Sequence, residues 1–222
     1  MLVLVSTPIG NLADISQRAL AELESADVVV SEDTRKTGFL LNHFDIKKPQ
    51  ISFREDNEQR ALPKVLEFLE LDKKVALVTD AGTPSISDPG FTLVRSALEK
   101  GIEISAVPGP TALIMALVLS GLPVHSFTFR GFPPRRSMAR KRWLEVDLNS
   151  PHTLVFYESP YRLVSFMQDL LEVYGNRRCS VANDLTKKFE TVYRGRINDL
   201  IATLQKTDIR GEYTIVVGAM DA

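Results

Sequence analysis

Two runs, DVVVS at residues 27–31 and VALVT at residues 75–79, are apolar or nearly so along their whole length. A strand with one wet face alternates apolar and polar residues. A strand buried on both faces does not, and it belongs to a parallel sheet covered by helices on either side. The rest of the first half fits that demand. Short strands are expected at residues 2–6, 50–53 and 103–107. Between them lie helical patterns at 15–25, 34–43, 57–70 and 89–100, the third with Leu62, Val65, Leu66 and Leu69 on one face. The fold class expected is therefore α/β, a mostly parallel sheet with flanking helices, whose ligands bind beyond the carboxyl ends of the strands. Asp14 and Gln17 resemble a capping box for the first helix, Thr34 a cap for the second, and Asp88 with Pro89 a start for the fourth.

Past the very apolar stretch at residues 111–120, expected as a buried interdomain or interface helix, the pattern changes. Strands are expected at 126–131, 153–157, 179–182, 191–193 and 213–217, with helices at 137–148, 161–174 and 197–205. This is a second α/β domain with a mixed sheet. The boundary is set at Leu122, giving domains 1–121 and 122–222. A length of 222 residues accommodates two modest domains.

Composition removes several classes of function. One cysteine, Cys179, cannot form an intrachain disulfide or a thiolate cluster and fits a cytoplasmic home. His43, His125 and His152 have no ligand spacing, so no metal is expected. No apolar run is long enough for a bilayer, and the first residues carry no basic leader, so no membrane partner is expected. A net charge of −1 gives no global nucleic-acid signature. Locally, Arg130, Arg135, Arg136, Arg140, Lys141 and Arg142 form a basic stretch with no acid inside it, which suits phosphates.

The strand-end loops are too long and too polar for plain turns. DAGTPSISDPG, residues 80–90, combines Gly82, where a ligand can approach the backbone, a stiffening Pro84, and the hydroxyls of Thr83 and Ser87. STPIGN at 6–11 has one glycine and is not a dinucleotide fingerprint; no Walker A sequence is present. SEDTR places Glu32, Asp33 and Arg35 at a strand end, either as a surface network or as a substrate-positioning cluster. VPGPTA, residues 107–112, ends another strand at the same edge. In the second half, YESPYRL brings Glu158 and Arg162, four apart, and NDLTKKFE brings Asp184, Lys187 and Glu190.

Taken in order, STPIGNLADIS, SEDTR, DAGTPSISDPG, VPGPTA, RGFPPR, FYESPYRL and DLTKKFE followed by RGE closely resemble the ribosomal RNA small-subunit methyltransferase I family, of the tetrapyrrole-methylase fold. The likeness covers nearly the whole chain. In one place, Asn183-Asp184 stands where relatives carry an arginine–glutamate pair. The resemblance implies S-adenosylmethionine as donor, a cytidine 2′-hydroxyl of the 16S rRNA decoding region as acceptor, a cofactor cleft between the two domains, and a homodimer. It implies donor contacts at Pro8, Ile9, Gly10, Asp80, Gly82, Thr83, Pro84, Ile86, Ser87, Thr111 and Ala112, and in the second domain at Tyr157, Ala182, Tyr213 and Thr214. A weakly nucleophilic ribose hydroxyl calls for a base, for which Glu32, Asp33 and Glu158 are candidates, with Lys187 as an electrostatic helper. Arg35 and the basic stretch are expected to hold RNA phosphates, and Phe132 either stacks on a base or packs inside. Two other readings share the fold: a tetrapyrrole C-methyltransferase, and an RNA-binding module without catalysis.

Overall fold

The computed structural model describes residues 1–220 and divides into two compact units, Met1–Thr111 and Ala112–Ala222. In the first unit the elements run β1 (Leu2–Val5), α1 (Gln17–Ser25), β2 (Val28–Ser31), α2 (Thr34–His43), β3 (Gln50–Ser52), α3 (Glu58–Glu70), β4 (Val75–Leu77), α4 (Phe91–Glu99) and β5 (Ile104–Val107). The five strands are all parallel, in the order β3-β2-β4-β1-β5. Side chains alternate between the faces of a strand, and the two faces have separate cores. Val3, Val5, Val29, Ala76 and Val78 pack against Ala19 and Leu23 of α1 and Leu41 of α2. Leu2, Val28, Val30, Val75 and Leu77 pack against Val65 and Leu69 of α3 and Leu93 and Ala97 of α4. This double burial is why the strands are continuously apolar.

Helix starts depart from the sequence expectation. Ser16, not Asp14, caps α1, its Oγ accepting from the Ala19 amide at 3.0 Å, while Asp14 closes a short 3-10 turn. Asp33, not Thr34, caps α2. Asp88 caps nothing: α4 begins at Phe91 after Gly90, whose φ of 131° is in the region open to glycine.

The second unit runs α5 (Ala112–Ser120), β6 (Phe127–Phe129), α6 (Ser137–Glu145), β7 (Thr153–Glu158), α7 (Leu163–Tyr174), β8 (Arg178–Asn183), β9 (Thr191–Arg196), α8 (Ile197–Leu204) and β10 (Tyr213–Val217). Its sheet is mixed, in the order β6-β7-β10-β8-β9, with only β6 and β7 parallel neighbours. Helices α6, α7 and α8 share one core with the sheet, from Leu144 through Phe166 and Leu170 to Leu200. Helix α5 packs against β7, β8, β9 and β10. The division thus falls before α5, whereas a boundary at Leu122 leaves that helix in the first domain. Leu113, Ala116 and Leu117 face inward, but Met115, Val118 and Leu119 are exposed, so α5 is not buried all round. Among the described residues, no helix is long and apolar enough to cross a membrane.

Arg140 of α6 is 2% exposed. Its Nε donates to Asp169 Oδ2 at 2.6 Å, and Asp169 Oδ1 accepts from the Ser137 hydroxyl at 2.9 Å. Burying this guanidinium depends on that partner, because removing one member of a buried pair strands the other charge. Arg140→Ala is expected to cost about 3–5 kcal/mol of unfolding free energy in urea titration. Arg135→Ala, on an exposed side chain, is expected to change it by no more than about 0.5 kcal/mol.

Candidate functional site

Strands β4, β1 and β5 are neighbours, so the loops that follow them emerge side by side at the carboxyl edge of the first sheet. They are fastened together. The Thr7 amide donates to the Gly82 carbonyl at 2.9 Å and the Gly82 amide to the Thr7 carbonyl at 3.1 Å. Thr7 Oγ1 donates to the Thr79 carbonyl, and the Ser6 hydroxyl to Thr83 Oγ1, each at 3.2 Å. Gly109 of the third loop lies so close that a Cβ there would sit 2.7 Å from Ser6 Cβ. Gly82 has a φ of 89° and faces Ile9 and the Pro110 carbonyl. Ser85 and Ser87, with φ of 70° and 63°, hold strained left-handed conformations. Pro8, Ile9 and Pro84 are buried, Gly10, Ile86 and Ser87 exposed, and Thr83, Thr111 and Ala112 half-buried. The Ser85 hydroxyl is buried with no partner. Close backbone approach and an unclaimed hydroxyl fit a small polar ligand held by main-chain groups.

Beside this, at the end of β2, the carboxylates divide into different roles. Asp33 is half-buried; its Oδ1 accepts from the Arg35 amide at 2.9 Å and its Oδ2 from Arg35 Nη2 at 2.7 Å. The Arg35 hydrogen bonds hold the Asp33 carboxyl well below the ordinary range, which makes it a poor base. Arg35 pairs with Asp33 while its side chain remains 90% exposed. Asp80 accepts from the Asp33 amide at 3.0 Å and from Lys36 Nζ at 2.7 Å, so it ties β4 to α2 rather than standing free for a donor. Glu32 makes no side-chain hydrogen bond among the described residues. Burial first, then the charges of Asp80 and Asp88, raise its pKa, against a lowering by Lys36. Burial, with Asp80, also raises Asp88. A cleft of about 250 Å³ opens here, lined by Thr7, Pro8, Lys36, Phe39, Thr79 and Asp80 among others. Lys36 and Asp88 were not singled out as site residues from sequence. Asp88 was read as a helix cap, and Lys36 has no signal beyond following Arg35.

In the second unit, Tyr157, Thr214 and Ala182 lie side by side in register, and Glu158, Tyr213 and Asn183 form the next row. The Tyr157 hydroxyl accepts from the Leu113 amide at the start of α5, at 3.1 Å. Ala182, Tyr213 and Thr214 are buried. Glu158 is buried too; its Oε1 accepts from the Ser159 amide at 2.7 Å and pairs with Arg162 at 2.6 Å. It is an ion-pair anchor rather than an accessible base, and its Oε2 has no partner. Lys187 bridges Asp184 at 2.9 Å and Glu212 at 2.8 Å. Burial opposes its charge, but the hydrogen bonds it donates to Glu212 and Asp184 outweigh this and raise its pKa, so its charge is spent locally.

The basic stretch does not form one patch. Arg140 is buried against Asp169, Arg130 pairs with Asp147 and lies over Trp143, and Lys141 pairs with Glu172. Arg135, Arg136 and Arg142 remain exposed and enter no salt bridge among the described residues. Phe132 is 56% exposed, not packed inside. No group of three or more His, Cys, Asp or Glu among the described residues is placed to hold a metal ion.

Comparison with known proteins places this geometry. The family of tetrapyrrole (corrin/porphyrin) methylases matches residues 1–201. A ribosomal RNA small subunit methyltransferase I from Thermotoga maritima is 43% identical over 220 residues, covering 99% of both chains. Its namesake from Escherichia coli O157:H7 is 43% identical, over 97% of this chain and 77% of its own. A uroporphyrin-III C-methyltransferase from Thermus thermophilus, solved in complex with S-adenosylhomocysteine, shares the fold with a TM-score of 0.67 at 20% identity, over 99% of this chain and 98% of its own.

Gly109→Ala is expected to push the first and third loops apart and to weaken S-adenosylhomocysteine binding at least roughly tenfold by calorimetry, a loss of about 1.4 kcal/mol. Gly195→Ala, where the new Cβ meets Leu200 only at ordinary contact distance, should bind as the parent does.

Proposed function

The chain belongs to the ribosomal RNA small subunit methyltransferase I family, within the tetrapyrrole methylases, and on that premise we propose that its acceptor is a cytidine 2′-hydroxyl in the decoding region of small-subunit rRNA. It is an S-adenosylmethionine-dependent rRNA methyltransferase. The observation that carries this reading is the near-full-length identity to relatives of that name. A tetrapyrrole acceptor has support only from fold neighbours of low identity.

S-adenosylmethionine, when bound, supplies a methyl group on an electron-poor sulfonium. The interlocked loops of the first unit are its seat, with Ile9, Gly82, Thr83, Ile86, Thr111 and Ala112 as contacts. Within the second unit, Tyr157, Thr214, Ala182 and Tyr213 are the residues we assign to the donor. Much of the acceleration comes from holding acceptor oxygen and methyl carbon in line, which fixed loops do better than mobile ones. The acceptor's proton needs a base. Glu32 serves, because its carboxyl has no competing hydrogen bond among the described residues and its raised pKa makes it the more basic. Asp33 and Glu158 act as cap and anchor instead. Arg135, Arg136 and Arg142 are left for phosphates. The exposed apolar side of α5, with Met115, Val118 and Leu119, is read as the homodimer surface. An rRNA acceptor places the work in the cytoplasm.

Mass mapping of ribose methylation on 16S rRNA and on assembled small subunits, after incubation with labelled donor, tests the acceptor. Modification at a base or at no site rejects it. Glu32→Gln is expected to lower turnover by about 10²–10⁴ while leaving donor binding intact. The acid limb of the pH–rate profile should lie above the ordinary carboxylate value, since Glu32 must be deprotonated. Lys36→Ala removes a charge that lowers the Glu32 pKa and should move that limb to higher pH. Asp80→Asn removes one that raises it and should move the limb down. A limb unmoved by both variants assigns the base elsewhere.

A further inference from the structure

Three loops of the second unit end at one edge. β6 and β7 are parallel, β10 is antiparallel to β7, and β8 is antiparallel to β10, so β6, β7 and β8 all finish on the same side. The register is level: the Tyr157 amide donates to the Gly131 carbonyl, Glu158 stands opposite Tyr213, Tyr213 opposite Asn183, and Asn183 opposite Thr191. Just beyond this line come Phe132, Tyr161 and Phe189. They are 56%, 98% and 74% exposed.

From this, we propose that the edge is a binding surface for single-stranded RNA, with Phe132, Tyr161 and Phe189 as stacking platforms and Arg135, Arg136 and Lys188 as phosphate contacts. The inference rests on the acceptor being RNA and adds the conformation in which that RNA is held. Strands β6 to β8 are three spacings apart, so the platforms span roughly 15 Å, the reach of a short strand rather than one nucleotide. Exposed aromatics at a basic edge suit unpaired bases, whose flat faces are open, and not a duplex, whose faces are stacked.

The platforms are held in place. Arg162 Nη1 donates to the Pro133 carbonyl at 3.3 Å, fixing the Phe-Pro-Pro loop, and the Phe132 ring leans on Tyr157 with centroids 5.5 Å apart. Lys188 Nζ lies 5.5 Å from the centre of the Phe189 ring. The edge also carries acids, but they are engaged. Glu158 pairs with Arg162, Asp184 and Glu212 pair with Lys187, and Glu190 Oε2 accepts from the Thr186 amide. Arg135, Arg136 and Lys188 enter no salt bridge among the described residues, while Asp184 and Glu212 share one lysine and Glu190 has only an amide, so five cations face four carboxylates and the edge is left with a small net positive charge.

The test is fluorescence anisotropy of the full chain with a labelled unstructured pyrimidine RNA, and with the same strand annealed to its complement. The parent protein is expected to prefer the single strand. Tyr161→Ala and Phe189→Ala should each weaken it roughly tenfold or more with the salt slope unchanged, and Tyr161→Phe should restore binding. Arg135→Glu with Arg136→Glu should flatten the salt slope. S-adenosylhomocysteine affinity and melting temperature should be unchanged in all. If the parent binds and methylates RNA but both alanine variants bind it equally well, the platforms are wrong and the RNA acceptor stands. If the parent binds S-adenosylhomocysteine but neither RNA form, both readings fall. If the variants lose RNA only together with dimerisation in sedimentation, the aromatics meet a second copy and the proposal is overturned.

Discussion

The first unit depends on how β1 is wedged between β4 and β5. Its position forces three long loops out at one place, and two contacts turn that crowding into structure. The paired main-chain bonds of Thr7 and Gly82 join the first loop to the second. The missing side chain of Gly109 lets the third press against Ser6. Separate loops of this length would each lose backbone entropy on meeting a ligand, of order 1–2 kcal/mol for every residue ordered. Loops fastened to one another have met that cost during folding. The chemistry assigned to this edge, alignment of two reactants, is the kind that benefits most from it.

Electrostatics then select one carboxyl among several. At the β2–α2 corner, Asp33 is stabilised as an anion by Arg35 and the helix start, and Asp80 is occupied by Lys36 and the Asp33 amide. Both carboxylates are already engaged, so neither is free to accept from a hydroxyl. Glu32 is left partly buried among like charges with no hydrogen bond of its own, and burial first, then the charges of Asp80 and Asp88, raise its affinity for a proton. Lys36 acts on both sides of this arrangement. It pairs with Asp80, and its charge works against the rise in the Glu32 pKa. In the second unit Glu158, Asp184 and Glu212 resemble Asp33 and Asp80 rather than Glu32, each having a cation within salt-bridge distance.

Strands and strand-end loops were legible in the sequence because parallel pairing leaves an unmistakable pattern: apolar runs, then Gly, Pro and hydroxyl residues. What was not legible was whatever depended on direction. Asp14, Ser16 and Asp88 all have the chemistry of a cap, and only the path of the chain decides which oxygen meets the free amides. The basic stretch failed for a similar reason. Successive residues of a helix point about 100° apart, so Arg140 turns inward while Arg142 turns out. The acid that neutralises Arg140 lies on α7, far along the chain, where no local reading connects the two. Helix α5 looked buried throughout because it is apolar throughout, yet burial follows its packing on the second sheet and leaves Val118 outside.

Backbone strain marks the same two edges independently. Asp45, Asp72, Ser85, Ser87, Asp184 and Thr186 have left-handed backbones without being glycine. Asp45 and Asp72 lie just past the ends of α2 and α3, where a left-handed residue is an ordinary way to stop a helix. The other four have no such excuse: two lie in the loop after β4 and two in the loop after β8. Strain of this sort persists only where surrounding contacts dictate it. In both loops a nearby glycine leaves the room the strained residue occupies. A side chain on Gly90 would strike the Ser85 hydroxyl, and one on Gly211 would strike the Asp184 carboxylate. The two units, one sheet parallel and one mixed, use the same device, a glycine whose missing side chain makes room for a strained polar loop, at the edges where ligand contacts are assigned.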